Sequence, residues 1–190
     1  VVDGVHGFGV EDLAFPDMHC DFFIAGTHKW MFGPRGTGLV CAASEQVTNL
    51  TPSLPTFSED TDFATSFSPG GYHAFEHRWA LDEAFKLHLQ LGKAEVQQRI
   101  HSLNTYLKDR LQARPNIELV TPASPQLSAG FSFFRVKGLD SDKVAAYLMR
   151  NRVISDAVNR DVGPVVRIAP GLLNTEDEVY RFLTLLDKTL

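Results

Sequence analysis

Residues 21–38 read Asp-Phe-Phe-Ile-Ala-Gly-Thr-His-Lys-Trp-Met-Phe-Gly-Pro-Arg-Gly-Thr-Gly, so that Lys29 closes an apolar run and opens a glycine-rich turn. An amine at the end of a buried strand is costly to desolvate, and burial favours its neutral form. A neutral amine can attack a carbonyl to form a Schiff base. The pattern therefore predicts that Lys29 is a buried, reactive lysine.

A second apolar segment, Val1-Val2-Asp3-Gly4-Val5-His6, ends in an acid and an imidazole. Each motif has an ordinary interpretation when it stands alone. A single lysine beside a turn is most often a solvated loop residue, and an Asp-Gly pair is usually a turn. The two motifs together favour a functional interpretation, because an acid, two imidazoles and a lysine at strand ends are the groups that a pyridoxal phosphate site needs.

The two segments resemble the class V aminotransferase family of fold-type I pyridoxal phosphate enzymes, and most of all its isopenicillin N epimerase-like branch. The resemblance extends to cysteine desulfurases, kynureninases and other β-eliminating lyases. The tail from Val166 to Glu178, Val-Arg-Ile-Ala-Pro-Gly-Leu-Leu-Asn-Thr-Glu-Asp-Glu, also fits. The resemblance implies an α/β fold of the aspartate aminotransferase type. Residues 1–92 would form the C-terminal part of the cofactor-binding large domain, and residues 93–190 a small α+β domain.

The resemblance implies roles for five residues near the start of the chain. Lys29 would carry pyridoxal phosphate as a Schiff base and later move protons at the substrate Cα. Asp3 would pair with the pyridine nitrogen, and His6 would stand beside the ring hydroxyl. His28 would donate to the phosphate, and Thr27 would supply a hydroxyl there.

The phosphate contacts depart from the family pattern. Many relatives carry a serine three residues before the lysine, where this chain has Gly26, and their glycine–threonine pair is matched here by Gly-Gly-Tyr-His at residues 70–73. In the family, an N-terminal half with the phosphate-binding loop and a ring-stacking side chain precedes Asp3. We therefore expect the chain to be the C-terminal part of a longer protein. The alternative is a non-catalytic remnant module that lacks half of the site.

Arg167 lies within the apolar run Val-Val-Arg-Ile-Ala. Taken alone, this pattern indicates an outward-facing arginine on an edge strand. The resemblance implies instead that Arg167 binds the carboxylate of an amino-acid substrate, whose geometry a planar guanidinium matches better than an ammonium group does.

The reaction stays open at this stage, because epimerisation, transamination and β-elimination all begin at the Cα proton. A desulfurase needs a nucleophilic cysteine on a mobile loop before the substrate arginine, and residues 155–166 contain none. An epimerase-like or aminotransferase reaction is therefore predicted first, and a C–S lyase or desulfurase-type reaction second.

Composition narrows the classes of partner. The net charge of −5 argues against a nucleic-acid surface, and no run reaches the apolar length that spans a bilayer. Cys20 and Cys41 give no disulfide framework, so a reduced cytoplasmic setting is predicted. The scattered histidines do not indicate a metal site. The family implies a homodimer.

Hydrophobic periodicity predicts an α/β order of elements. Buried strands are expected at residues 1–5, 21–25 and 38–43, followed by an irregular segment at 48–72 that lines the site or a dimer interface. A helix over 74–91, with Phe75, Trp79, Leu81 and Phe85 on its buried face, should continue towards residue 113 as a connecting helix. The small domain should contain strands at 117–120, 129–136, 153–155 and 165–169, a helix capped by Ser141, and a last helix opened by Thr175 and Glu178.

Overall fold

The computed structural model describes residues 1–54, 63–68, 74–128 and 130–189. They divide into two compact units, Val1–Gln90 and Leu91–Leu190. The identification of these units with a part of a large domain and with a small domain stays a prediction. Within the described residues, no helix combines the length and the apolar character that a membrane crossing requires.

The first unit contains a three-stranded sheet and a long helix. Its elements are β1 (Val2–Asp3), a 3-10 turn (Phe15–Met18), β2 (Phe22–Gly26), β3 (Gly38–Ala42), α1 (Ser44–Val47), α2 (Phe63–Ser66) and α3 (Phe75–Leu91). The strand order is β1-β2-β3, with β1 parallel and β3 antiparallel to β2.

The three strands occur where the sequence predicts them, but they are buried on one face only. Side chains alternate between the faces of a strand, and Phe23 and Ala25 are buried while Ile24 and Val40 are exposed. The register places Ile24 opposite both Asp3 and Val40, so these three residues share the exposed face. The prediction of fully buried strands is therefore wrong.

Helix α3 has the predicted extent but buries a different face. Ala84 and His88 are its buried residues, whereas Phe75 and Trp79 are exposed. Hydrophobic periodicity predicted the position of the helix, but in the fold it is the side of Ala84 and His88 that packs inward. Gly92 has a positive φ of 85° and begins a separate helix, so α3 and the next helix do not form one continuous connection.

The second unit is a four-stranded antiparallel sheet packed with three helices. Its elements are α4 (Lys93–Gln112), β4 (Ile117–Leu119), β5 (Ser132–Val136), α5 (Ser141–Arg150), β6 (Asp156–Arg160), β7 (Gly163–Ile168) and α6 (Glu176–Asp187). The strand order is β4-β5-β7-β6. The predicted stripe on α4 is buried, and it comprises Val96, Ile100, Leu103, Leu107 and Leu111.

Two local expectations for this unit are wrong and one is confirmed. Asp140, not Ser141, is the N-cap of α5, because its carboxylate accepts the backbone N–H of Lys143 at 3.0 Å. The strand expected at 153–155 lies at Asp156–Arg160, where it pairs with β7 as a hairpin. The capping box of Thr175 and Glu178 is present and opens α6.

The irregular segment predicted at 48–72 is only partly within the described residues. Phe57 and residues 70–73 lie outside them. Helix α2 interrupts the segment, and the rings of Phe63 and Phe67 lie 4.9 Å apart.

Candidate functional site

The candidate site begins at the carboxyl ends of β1 and β2. These strands are parallel, so their carboxyl ends lie at the same edge of the sheet. Asp3 is the last residue of β1, and the chain then turns towards His6, while Lys29 follows β2 by three residues. Ligands of open α/β sheets bind at this kind of edge.

Lys29 and His6 are in direct contact at this edge. The Lys29 Nζ lies 3.1 Å from the His6 Nε2, although the two residues are 23 positions apart in sequence. Lys29 itself is exposed. The expectation of a buried lysine is therefore wrong, because Lys29 belongs to the turn beyond β2 and not to the strand. The edge of the sheet therefore brings the amine of Lys29 and the imidazole of His6 together.

Asp3 is exposed, and its carboxylate is held locally. Its Oδ1 accepts the backbone N–H of Val5 at 3.1 Å, and this contact shapes the turn that leads to His6. A side chain at the neighbouring Gly4 would displace the ring of Phe23, since a Cβ there would lie 2.0 Å from that ring. The glycine thus allows the chain to leave β1 against the buried face of β2.

The segment Thr27–Gly33, which we call the lysine turn, is closed by backbone hydrogen bonds. The N–H of Gly33 donates to the carbonyl of Thr27 at 2.8 Å, and that of Phe32 donates to the carbonyl of Lys29 at 3.1 Å. Gly33 is required by close approach, because a Cβ there would lie 2.7 Å from the Thr27 carbonyl oxygen. The turn is therefore a compact unit that fixes the backbone of Lys29.

Thr27 and His28 occupy different surroundings. Thr27 is buried, and its hydroxyl is hydrogen bonded to that of Thr37, which itself donates to the carbonyl of Pro34 at 2.6 Å. The hydroxyl of Thr27 thus serves the turn, and its role towards a phosphate stays a prediction. His28 is exposed and packs back on Gly26, where a Cβ would lie 3.0 Å from the imidazole Cε1. A serine at residue 26 would crowd this ring.

Two further residues support the lysine turn from outside it. His88 of α3 is buried, and its Nε2 lies 2.9 Å from the carbonyl oxygen of Trp30. Gly9 has a φ of 83°, and a Cβ there would lie 2.9 Å from the backbone of Trp30 and Met31. Sequence analysis did not identify His88 as a residue of the site. The signal available for it was its spacing of four residues from Ala84 on the inner side of α3.

Arg167 lies on β7 directly opposite Asp156 of β6, and the two side chains form an ion pair. The Asp156 Oδ2 accepts from both Nε, at 3.1 Å, and Nη2 of the guanidinium. Arg167 is half-buried, with 32% of its side chain exposed. Sequence analysis did not identify Asp156, because the cross-strand register that aligns it with Arg167 is a property of the hairpin.

The two cysteines are free thiols. Cys41 lies on β3, and burial raises the pKa of its thiol, with a smaller contribution from Cys20. A raised pKa reduces the thiolate fraction, which is the nucleophilic form. This environment is that of a structural cysteine.

Comparisons with known proteins identify the family of the chain. The family model for aminotransferase class V matches residues 1–182. The chain is 28% identical to isopenicillin N epimerase of Streptomyces clavuligerus, over 98% of this chain and 52% of that protein. It is also 28% identical to a probable hercynylcysteine sulfoxide lyase of Mycobacterium tuberculosis, over 96% of this chain and 47% of that protein. The chain thus spans about half the length of the curated relatives that it matches.

Solved structures show the same fold. A C-DES variant with glycine covalently linked to its pyridoxal phosphate cofactor superposes with a TM-score of 0.88 at 21% identity, over 98% of this chain and 51% of that one. A complex of C-DES, a cystine C–S lyase, with cysteine persulfide gives a TM-score of 0.86 at 23% identity, over 98% and 51%. The predicted family, the fold type and pyridoxal phosphate as the cofactor of this family are confirmed.

Proposed function

The chain belongs to the class V aminotransferase family, and from this premise we propose that it is the lysine-bearing part of a pyridoxal phosphate enzyme that acts at the Cα of an amino acid. The observation that carries the proposal is the contact between Lys29 and His6, at 3.1 Å, at the edge of the sheet where β1 ends at Asp3. The relatives support an epimerase-like or aminotransferase reaction as the first candidate.

The residues at this edge fit the chemistry of the cofactor. Lys29 supplies an exposed primary amine for covalent attachment, and Asp3 supplies a carboxylate for the ring nitrogen. His6 would lie beside the ring hydroxyl, and His28 and Thr27 would bind the phosphate. Pyridoxal phosphate, when bound, withdraws electrons from the Cα of an amino acid and makes its proton acidic.

Three residues of this chain would have separate roles in proton transfer and substrate binding. The amine of Lys29 would accept and return the Cα proton, a positioned general base being worth about 10²–10⁴ in rate. His6, in contact with that amine, would orient it. Arg167 would hold the substrate carboxylate through charge-assisted hydrogen bonds.

Covalent labelling tests the role of Lys29. Borohydride reduction of the holoenzyme followed by peptide mapping should place a phosphopyridoxyl group on Lys29, because its amine is the exposed lysine at the proposed site. Lys86, an exposed lysine of α3 in ion pairs with Asp82 and Glu83, is the internal control. Modification of Lys86 with none at Lys29 would refute the proposal.

Asp3 provides a second test. Asp3→Asn keeps an oxygen that can accept the Val5 N–H but removes the charge beside the ring nitrogen. We expect a loss of turnover of about 10²–10³-fold, since electrostatic stabilisation is often the largest catalytic contribution. The measurement is the rate of Cα proton exchange of L-alanine in heavy water. Near-normal exchange in folded Asp3→Asn protein would contradict the assignment of Asp3.

A C–S lyase reaction is the second candidate, and the similarity to the mycobacterial lyase supports it. The absence of cysteine from residues 155–166 disfavours a desulfurase that forms a persulfide on a cysteine of its own chain in that segment. Incubation with L-cystine separates the possibilities, because a lyase releases pyruvate and an epimerase only exchanges the Cα proton.

Absorbance spectroscopy tests the alternative that the chain is a non-catalytic module. A module without cofactor would lack the visible absorbance of bound pyridoxal phosphate. We also propose a homodimer on the basis of the family, and sedimentation of the purified protein at several concentrations tests this.

A further inference from the structure

We propose that His88 is a positioning residue for Lys29, acting through the carbonyl of Trp30. The inference rests on the proposed function of Lys29. Its basis is the placement of a buried imidazole of α3 against the residue that follows the lysine. The Nε2–carbonyl distance of 2.9 Å is that of a hydrogen bond, so the Nε2 carries the proton and donates.

The burial of His88 indicates that the imidazole has a specific task. The residue is only 6% exposed, on the inner side of a helix whose other buried residue is Ala84. Burying an imidazole is unfavourable unless its polar atoms are paired, and an aliphatic residue would fill the same volume without that cost. Burial also lowers the pKa of His88, which keeps the ring neutral and consistent with a single donated hydrogen bond.

His88 holds the lysine turn at two points. Its ring packs against Phe32, with centroids 5.8 Å apart, and Phe32 adopts a positive φ of 57° that an aromatic residue rarely takes. The imidazole therefore supports both the strained residue near the end of the turn and the carbonyl of Trp30 at its centre. Because the turn is closed by its own backbone hydrogen bonds, a shift of that carbonyl would move the backbone of Lys29.

The position of the Lys29 amine depends on this support. The amine reaches His6 at 3.1 Å from a turn that has no strand partner at Lys29. Gly9 limits the turn from the side of the β1 loop, and His88 limits it from the side of α3. A displacement of about 1 Å at a reacting group can cost about 10²-fold in rate, so loss of the His88 contact should impair attachment of the cofactor.

Three variants of the holoenzyme test the inference. His88→Phe keeps a ring against Phe32 but lacks the donor, and His88→Gln restores an N–H at similar reach. His77→Phe, at an exposed position of the same helix, is the matched control. The readout is the dissociation constant of pyridoxal phosphate, from the fraction of Lys29 labelled after borohydride reduction, together with thermal unfolding.

We expect His88→Phe to weaken cofactor binding about tenfold, His88→Gln to remain within about threefold of wild type, and His77→Phe to be unchanged. Wild-type affinity in folded His88→Phe, or equal weakening in the Phe and Gln variants, would overturn the positioning role. If His88→Phe does not fold, His88→Gln decides the matter: near-normal binding supports the role and weakened binding overturns it. Failure to label Lys29 in the wild-type protein would instead refute the proposed function.

Discussion

At the scale of single residues, the ion pair of Arg167 with Asp156 limits how its guanidinium could bind the substrate carboxylate that we propose for it. A guanidinium has two edges that can each bind a carboxylate, one formed by Nε and Nη2 and the other by Nη1 and Nη2. Asp156 accepts from Nε and Nη2. Within the described part of the chain, Nη1 donates to no other side chain, so the second edge is the one available to a substrate carboxylate.

This arrangement predicts graded effects on substrate affinity. Arg167→Ala should weaken the binding of glycine by about 10–100-fold, because it removes a charge-assisted hydrogen bond, and Arg167→Lys should not restore it. Asp156→Ala should weaken binding by about 3–10-fold, because the guanidinium loses its orientation. The measurement is a titration of the holoenzyme with glycine, followed by cofactor absorbance.

Asp161→Asn, in the exposed turn of the same hairpin, is the control for that series. Unchanged glycine affinity in Asp156→Ala, together with a clear loss in Arg167→Ala, would show that the ion pair is only a cross-strand contact of the sheet. Unchanged affinity in Arg167→Ala would remove Arg167 from the site.

At the scale of elements, features formed by residues close in sequence were predictable, whereas the face that each element buries against its neighbours was not. The capping box of α6 and the buried stripe of α4 involve residues close in sequence, and both are confirmed. The inner face of α3 and the exposed face of the first sheet depend on what each element packs against. The same distinction applies to the proposed site. Sequence motifs pointed to Lys29 and His6, whereas His88 was found from the packing of α3 and Asp156 from the strand register.

The pairing of α4 with α6 gives a prediction for stability against pH. Arg114, just beyond α4, donates to both carboxylate oxygens of Asp187 at the end of α6, at 2.6 and 2.7 Å. Arg114 lowers the pKa of Asp187 in the folded state. The ion pair therefore stabilises the fold above the ordinary carboxyl pKa of 3.8, and this contribution is lost as the pH falls through the lower folded value.

Asp187→Asn should reduce the free energy of unfolding by about 0.5–1 kcal/mol at neutral pH, since the pair is partly exposed. The difference from wild type should shrink below about pH 4, where the unfolded carboxyl is protonated. Urea unfolding at pH 7 and pH 3 measures both values. Asp161→Asn, which changes a carboxylate without an ion pair among the described residues, should show neither effect. A difference between Asp187→Asn and wild type that is as large at pH 3 as at pH 7 would contradict the explanation.

At the scale of the whole molecule, the two units bury very different amounts of apolar surface. The described part of the first unit buries few apolar side chains, and it leaves Ile24 and Val40 exposed on one face of its sheet. The second unit packs three helices against its sheet. Its core comprises Leu103, Leu107, Leu111, Ile117, Phe134, Val136, Val144, Leu148, Val166, Val179, Phe182, Leu183 and Leu186. Since apolar burial is the dominant favourable contribution to folding, stability should be concentrated in residues 91–190.

Residues 91–190 produced alone should therefore unfold cooperatively in urea, with a midpoint close to that of the same residues within the whole chain. Residues 1–90 alone should lack a cooperative transition, because three short strands with one exposed face cannot offset the entropy of ordering them. Far-UV circular dichroism of both segments measures the transitions, and hydrogen exchange of the whole chain should show the slowest amides in α4 and β5. A cooperative transition in residues 1–90 with none in residues 91–190 would reverse the assignment. It would mean that contacts outside the buried core of the second unit determine the stability of the molecule.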